Sequence, residues 1–181
     1  ACYNLKNEIN SKSIAVTIEE QNVPQRPFRA LVKYQNMDQL YYRIIKTDRN
    51  SVEAVREKLE KNYDIDREEE FIKYFVAQTP AQSGNYQLEN DGDYQTHGVE
   101  VKLDALPVGE YMILFSHDAG FVPDKNGMAY AFTVVSDISY IHRNTKKGAT
   151  DFYVLSRSTG EPVAGVKLKV MAKEWNYKKR K

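Results

Sequence analysis

The sequence predicts a mainly β fold: an antiparallel β-sandwich with a helical-hairpin insertion, followed by the start of a second β-sandwich module. Short segments rich in Val, Ile, Tyr and Thr recur between turn residues. The apolar period becomes helical between about residues 49 and 77, and a new strand pattern begins at residue 138. We therefore expect domains at 1–137 and 138–181.

The first part of the chain is predicted to form three strands, because β-formers alternate there between turn signals. Pro24 and Pro27 separate the first two strands, and Asn36-Met37-Asp38 supplies the next turn. The predicted strands are Ser13 to Glu19, Phe28 to Tyr34 and Leu40 to Thr47.

A helical hairpin is predicted next. Asn50 with Glu53, and Asp66 with Glu69, have the spacing of a capping box at a helix start. Apolar residues follow at helical spacing, and Thr79-Pro80 ends the pattern. We expect this apolar stripe to pack on a sheet; a partner-binding surface is the alternative. The stripe contains Val52, Val55, Leu59, Tyr63, Phe71, Ile72, Phe75 and Val76.

Strand patterns resume at Tyr86. The segment Val99 to Leu103 alternates apolar and polar residues, which is typical of a strand with one dry and one wet face. A strand is predicted from Leu106 to Phe115, and Asn126-Gly127 predicts a hairpin turn before the strand Met128 to Val135.

The predicted second module begins with two strands, Asp151 to Leu155 and Val163 to Val170, around the turn Thr159-Gly160-Glu161-Pro162. We expect the chain to be a piece of a longer modular protein, because few residues remain to complete a sandwich. Partner strands would then be missing, so that this module would fray or pair with another copy. Apolar side chains expected to be exposed are Phe152, Val154, Val166 and Val170.

Composition excludes several functional classes. The 181 residues carry a formal net charge of +1, which provides no global field for nucleic acid or an anionic membrane. No apolar run approaches membrane-spanning length. Cys2 is the single cysteine, so no intramolecular disulfide is expected.

No catalytic, cofactor-binding or metal residues are predicted. His97, His117 and His142 are widely spaced and match no metal motif. His117-Asp118 lacks an accompanying nucleophile motif, which argues against an enzyme. The segment from Glu89 to Asp93 resembles a calcium loop but lacks the ligand spacing of an EF-hand, so a turn is preferred and a different calcium site stays open.

Aromatic residues raise two further hypotheses. The tail from Trp175 to Lys181 combines aromatic and basic residues, as binders of single-stranded nucleic acid do, although a solvated segment is preferred in a near-neutral chain. Strand tyrosines could form a sugar-binding platform, but burial of their rings at a sheet surface is preferred. These tyrosines are Tyr41, Tyr42, Tyr86, Tyr94 and Tyr111.

Three segments in a fixed order carry a resemblance to a known family. They are LDALPVGEYMILFSHD, NGMAYAFTVVSDISYIHR and DFYVLSRSTGEPVAGVKLKV, within residues 103–170. Together they resemble the junction of consecutive macroglobulin-like domains in bacterial alpha-2-macroglobulins, with Val135-Ser136-Asp137-Ile138 as the linker. Thr159-Gly160 and Pro162 match the hairpin of the following domain. The resemblance implies a macroglobulin-like sandwich.

The resemblance also implies a role. Such proteins trap proteases, so this chain would be a non-catalytic structural module that contacts neighbouring domains and meets the protease through the full-length protein. The family's thioester needs a Cys followed closely by Glu-Gln, whereas Cys2 is followed by Tyr3-Asn4 and Glu20-Gln21 has no nearby Cys. No thioester is therefore expected. The last segment equally resembles carboxypeptidase-regulatory-like modules, so a cell-surface module that binds glycans or proteins is the alternative.

The implied location is the bacterial periplasm or cell surface. The pair Ala1-Cys2 is similar to the end of a lipoprotein signal, but Ala1 is present and no apolar segment precedes it. A lipid anchor therefore stays open. No cofactor, nucleic acid partner or membrane insertion is predicted.

Overall fold

A computed structural model describes residues 6–7, 9–123, 126–146 and 148–170. Cys2 and the basic tail from Trp175 to Lys181 lie outside the described residues. The lipid-anchor and nucleic-acid hypotheses depend on these segments and therefore also fall outside the described part of the chain. The chain divides into two compact units, Ala1–Asp137 and Ile138–Lys181. None of the helices in the described ranges has the length and apolar content that a membrane crossing requires.

The first unit contains eight named strands and the two helices of the predicted hairpin. In chain order they are β1 (Ser13–Ile18), β2 (Gln21–Asn22), β3 (Phe28–Gln35), β4 (Gln39–Thr47), α1 (Arg49–Glu60), α2 (Arg67–Val76), β5 (Gln82–Gln87), β6 (His97–Leu103), β7 (Gly109–Ser116) and β8 (Met128–Val135). The strands form a three-stranded sheet in the order β1-β3-β6 and a five-stranded sheet in the order β2-β8-β7-β4-β5.

The two sheets enclose the main apolar core. Alternate residues of β3 are buried, as the strand period requires, and those of β6 follow in register, with Ala30 opposite Val101 and Phe28 opposite Leu103. The larger sheet contributes Ile44, Ile113 and other side chains of β4 and β7 to the same core. This arrangement is a β-sandwich, and the predicted mainly β fold class is confirmed.

Strand β7 is covered on both faces, which explains its continuous apolar sequence. Ile113 points into the core between the sheets, whereas Met112 and Leu114 belong to a second core on the outer face of the larger sheet. Helix α2 supplies Phe71 and Phe75 to this second core. The helical hairpin therefore packs its apolar side on the sheet, and the expectation of packing is confirmed for these residues. Tyr63 is the exception: it follows the end of α1 and is 84% exposed, so its predicted place in the stripe is wrong.

The start of α1 differs from the capping prediction. The N-cap is Asp48, whose carboxylate accepts hydrogen bonds from the Ser51 N–H (2.9 Å) and hydroxyl (2.7 Å). Asn50 already lies inside the helix, so the predicted capping box at Asn50 is wrong. At α2, Asp66 is the N-cap and accepts from the N–H groups of Glu68 and Glu69, as the spacing predicted.

Two features of the five-stranded sheet also differ from expectation. Asn126-Gly127 does not close a tight hairpin, because β7 and β8 pair from Ser116 opposite Met128 and the whole segment 117–127 connects them. The short strand β2 was not predicted. It pairs with β8 in parallel, a long-range contact that leaves no local pattern in the sequence.

The described part of the second unit contains an antiparallel pair of strands, β9 (Ile138–Asn144) and β10 (Thr150–Ser156). The predicted strand Val163 to Val170 is wrong, because residues 163–170 contain no named strand. A bridge between Leu155 and Pro162 and the hydrogen bond from the Val163 N–H to the Val154 carbonyl connect the start of this segment to β10. A segment with a strand-like sequence forms a strand only when a neighbouring strand pairs with its backbone N–H and C=O groups.

Candidate functional site

Three side chains with metal-binding chemistry converge beside the start of β6. His97 Nε2 lies 3.0 Å from an Asp93 carboxylate oxygen and 3.5 Å from one of Asp91. The three candidate ligand atoms lie within 4.8 Å of one another. This is the one such group of three within the described ranges. We refer to Asp91, Asp93 and His97 as the His97 cluster.

The residues of the cluster come from one loop and one strand. Asp91 and Asp93 lie on the connection between β5 and β6, where Gly92 adopts a positive φ of 72°. His97 is the first residue of β6 and pairs with Tyr34 on β3. The Tyr34 and His97 rings lie with their centroids 5.7 Å apart.

Both ends of this loop are attached to β3. The Tyr34 hydroxyl donates to the Glu89 carbonyl (2.8 Å), and the Gln35 side-chain amide donates to the Tyr94 carbonyl (2.8 Å). The loop therefore holds its carboxylates close to His97 through contacts outside the cluster itself.

The electrostatics of the cluster follow from these contacts. A hydrogen bond from the Gln95 N–H, followed by that from His97, lowers the pKa of Asp93. The hydrogen bond to Asp93 raises the pKa of His97, with the negative charges of Asp93, Asp91 and Glu89 adding to the effect. The site attracts positive charge, either a proton or a cation.

The other two histidines lie on different elements of the structure. His117 follows β7, and its backbone N–H donates to the Gly127 carbonyl (3.1 Å). The neighbouring Asp118 carboxylate accepts from the Val122 N–H (3.3 Å) and so stabilises a turn. His142 is on β9 in the second unit. Within the first unit, the structure therefore brings His97 together with the calcium-loop residues, and His117 is not part of that group.

The five tyrosines singled out in the sequence do not form one exposed platform. Tyr111 and Tyr42 are buried, and the Tyr111 hydroxyl donates to the Pro107 carbonyl (2.9 Å). Tyr41 packs on the helical side of the sheet, and Tyr86 packs on the side between the sheets. Tyr94 is exposed alone on the β5–β6 loop. Most of these tyrosines therefore bury their rings at a sheet surface, as preferred from the sequence.

A small cleft of about 280 Å³ opens between the start of α2 and β8. Three carboxylates line it above the apolar side chains of Ile72 and Met128. Each carboxylate has a local partner: Asp66 caps the helix, Glu69 pairs with Lys73, and Glu68 interacts with Tyr130. These contacts account for the carboxylates without a ligand.

The second unit presents aromatic side chains on one face of its strand pair. The Tyr140, His142 and Phe152 rings lie with centroids 6.1 to 6.5 Å apart and are tilted relative to one another. Val166 and Val170 are exposed, as expected, whereas Phe152 and Val154 are half-buried.

Comparison with known proteins gives a similarity of fold. No family model matches the sequence, and no curated protein matches it. A crystal structure of native alpha-2-macroglobulin from Escherichia coli, spanning domains MG0-NIE-MG1, superposes with a TM-score of 0.51 at 15% sequence identity. The match covers 82% of this chain and 47% of that chain. This chain therefore spans about half the length of the structure that it matches.

At this identity the similarity concerns the fold. It agrees with the resemblance carried by residues 103–170 and with the sandwich described above. The chain therefore has the macroglobulin-like fold found in bacterial alpha-2-macroglobulin.

Proposed function

We propose that this chain is a non-catalytic structural module of a bacterial alpha-2-macroglobulin-type protein that traps proteases in the cell envelope. The observation that carries the proposal is the fold shared with the Escherichia coli protein. The ordered segments between Leu103 and Val170 support it, since they lie where two macroglobulin-like domains would join.

The role is architectural. Two apolar cores, one between the sheets and one beneath the helices, give the first unit a well-packed interior. A module of this kind acts as a wall element whose partners are the neighbouring domains of the same protein. The target protease is met through the full-length protein, in the periplasm or at the cell surface, with a lipid on Cys2 as one means of anchoring.

The first test is the size of the native protein. An antibody raised against residues 10–137 should detect, in cell-envelope extracts, a product several times larger than 20.9 kDa. A product of about that mass overturns the proposal, because a single sandwich cannot enclose a protease.

The second test measures trapping by the full-length protein. After incubation with a broad-specificity protease, cleavage of a large protein substrate should fall while cleavage of a small peptide substrate persists. Ile113→Asp places a charge in the core between the sheets and should abolish this difference. Val108→Asp, at an exposed position just before β7, is the matched control and should preserve it. Equal cleavage of both substrates by the unmodified sample contradicts the proposal.

A surface-binding module is the second candidate, favoured by the aromatic face of the second unit. Tyr140, His142 and Phe152 offer rings to a glycan or a protein partner. Specific binding on a glycan array that is lost in Tyr140→Ala would support it. Without such binding, the glycan version of this candidate is excluded.

A further inference from the structure

We propose that Asp91, Asp93 and His97 form a binding site for a divalent metal ion of the zinc class at the loop between β5 and β6. This site is separate from the proposed architectural role and stands on its own geometry.

The separations between the ligand atoms are close to those that coordination of one ion requires. Zinc lies about 2.0 to 2.2 Å from nitrogen and carboxylate oxygen, so the ligand atoms of a tetrahedral site are roughly 3.3 to 3.6 Å apart. His97 Nε2 is 3.0 Å from the Asp93 oxygen and 3.5 Å from the Asp91 oxygen. Small side-chain rotations would therefore bring all three atoms to one ion.

The mixture of ligand types selects the class of metal. Calcium and magnesium prefer oxygen ligands, whereas an imidazole nitrogen suits zinc and its neighbours among the transition metals. An imidazole with two carboxylates supplies three ligands and leaves a position for water or for a group from a partner. Both carboxylates are at least two-fifths exposed, so an ion can enter from solvent.

The surroundings hold the ligands before any ion binds. His97 is fixed in the β3–β6 ladder and its ring lies against Tyr34. The loop is bound to β3 at Glu89 and at Tyr94, on either side of the two aspartates. Less conformational entropy is then lost on binding than in a free loop. Bound metal would fasten the β5–β6 loop to the edge of the three-stranded sheet.

The test is a titration of the full chain with zinc chloride after removal of metal by a chelator. A Cys2→Ser background prevents the thiol from contributing, and a buffer at about pH 8 limits competition between protons and metal ions for the ligands. Isothermal calorimetry should show one zinc per chain. Calcium chloride under the same conditions should bind much more weakly.

Variants assign the binding to the cluster. His97→Gln and Asp93→Asn should each weaken zinc binding by about tenfold or more. His142→Gln removes an exposed imidazole from the second unit and should leave the affinity unchanged. These substitutions are outside the apolar cores, so circular dichroism should show folded variants.

Nuclear magnetic resonance gives an independent readout. The chain has three histidines. The imidazole resonances of His97 should shift on addition of zinc, while those of His117 and His142 should not change. Unchanged affinity in His97→Gln, equal shifts of all three imidazoles, or no zinc binding would overturn the metal site. None of these results would affect the architectural proposal, which is tested by protein mass and protease trapping.

Discussion

Replacing Gly84 by alanine should destabilise the first unit, although both residues are small. Gly84 on β5 faces Tyr42 on β4. A Cβ built at Gly84 would be 2.7 Å from Tyr42 Cε1, 2.8 Å from its hydroxyl oxygen and 2.9 Å from Cζ. Since ordinary contact begins at 3.4 Å, the ring would have to move by 3.4 − 2.7 = 0.7 Å.

That movement is opposed by the ring's neighbours. The Tyr42 ring lies between Tyr86, with centroids 6.0 Å apart, and Phe115, at 6.5 Å. Overfilling a well-packed core of this kind costs about 1 to 3 kcal/mol. Urea denaturation followed by circular dichroism should therefore show a lower midpoint for Gly84→Ala.

Gly98 provides a matched control on another strand. A Cβ at Gly98 meets no atom within 4 Å, and its backbone does not have a positive φ. Gly98→Ala should therefore be stabilising by about 0.4 to 1 kcal/mol through the unfolded state. In a Tyr42→Leu background the cost of Gly84→Ala should shrink. A Gly84→Ala protein as stable as the parent would refute the reasoning.

Three further predictions concern the helices and a buried hydroxyl. Phe75→Ala should cost about 3 to 5 kcal/mol in chemical denaturation because the ring is fully buried beneath the hairpin; Tyr63→Ala, at a highly exposed position, should change stability by less than about 0.5 kcal/mol. Hydrogen bonds from the Ser51 hydroxyl and N–H lower the pKa of Asp48 below 3.8 in the folded state. The stabilisation that the ionised Asp48 gives to the folded state is therefore present above about pH 4 and is lost as the pH falls through the folded pKa. An acid titration of helicity should show a smaller change below about pH 4 in Asp48→Asn than in the parent. Tyr111→Phe loses a hydrogen bond to a backbone carbonyl and should lower the free energy of unfolding by about 1 kcal/mol, whereas an unchanged value would show that the bond contributes nothing.

The parts of the fold that follow from local pattern were predictable. β-forming residues between turn signals placed β3, alternation placed the buried face of β6, and helical spacing with the Asp66 cap placed α2. These features depend on residues close together in the chain, so the sequence contains the information directly. The N-cap of α1 was missed because Asp48 and Asn50 are both good capping residues, and spacing alone favoured Asn50.

The candidate site was only half visible in the sequence. The segment from Glu89 to Asp93 resembles a calcium loop in the sequence, but nothing in the sequence indicates that His97 joins it. The spacing of four between Asp93 and His97 matches no metal motif. The loop brings its carboxylates to His97 because it turns back onto the following strand. That path depends on the hydrogen bonds from Tyr34 and Gln35 to the loop, which the sequence does not show.

The sequence by itself determined the mainly β class, the helical hairpin and the buried face of β6, because periodicity and capping act over a few residues. Tertiary structure decided the rest. It paired β2 with β8 in parallel, covered β7 on both faces, left Val163–Val170 without a ladder, and gathered Asp91, Asp93 and His97. Each of these outcomes depends on contacts between segments that are far apart in the sequence. Burial of side chains and hydrogen bonding across the whole chain decide which of those contacts form.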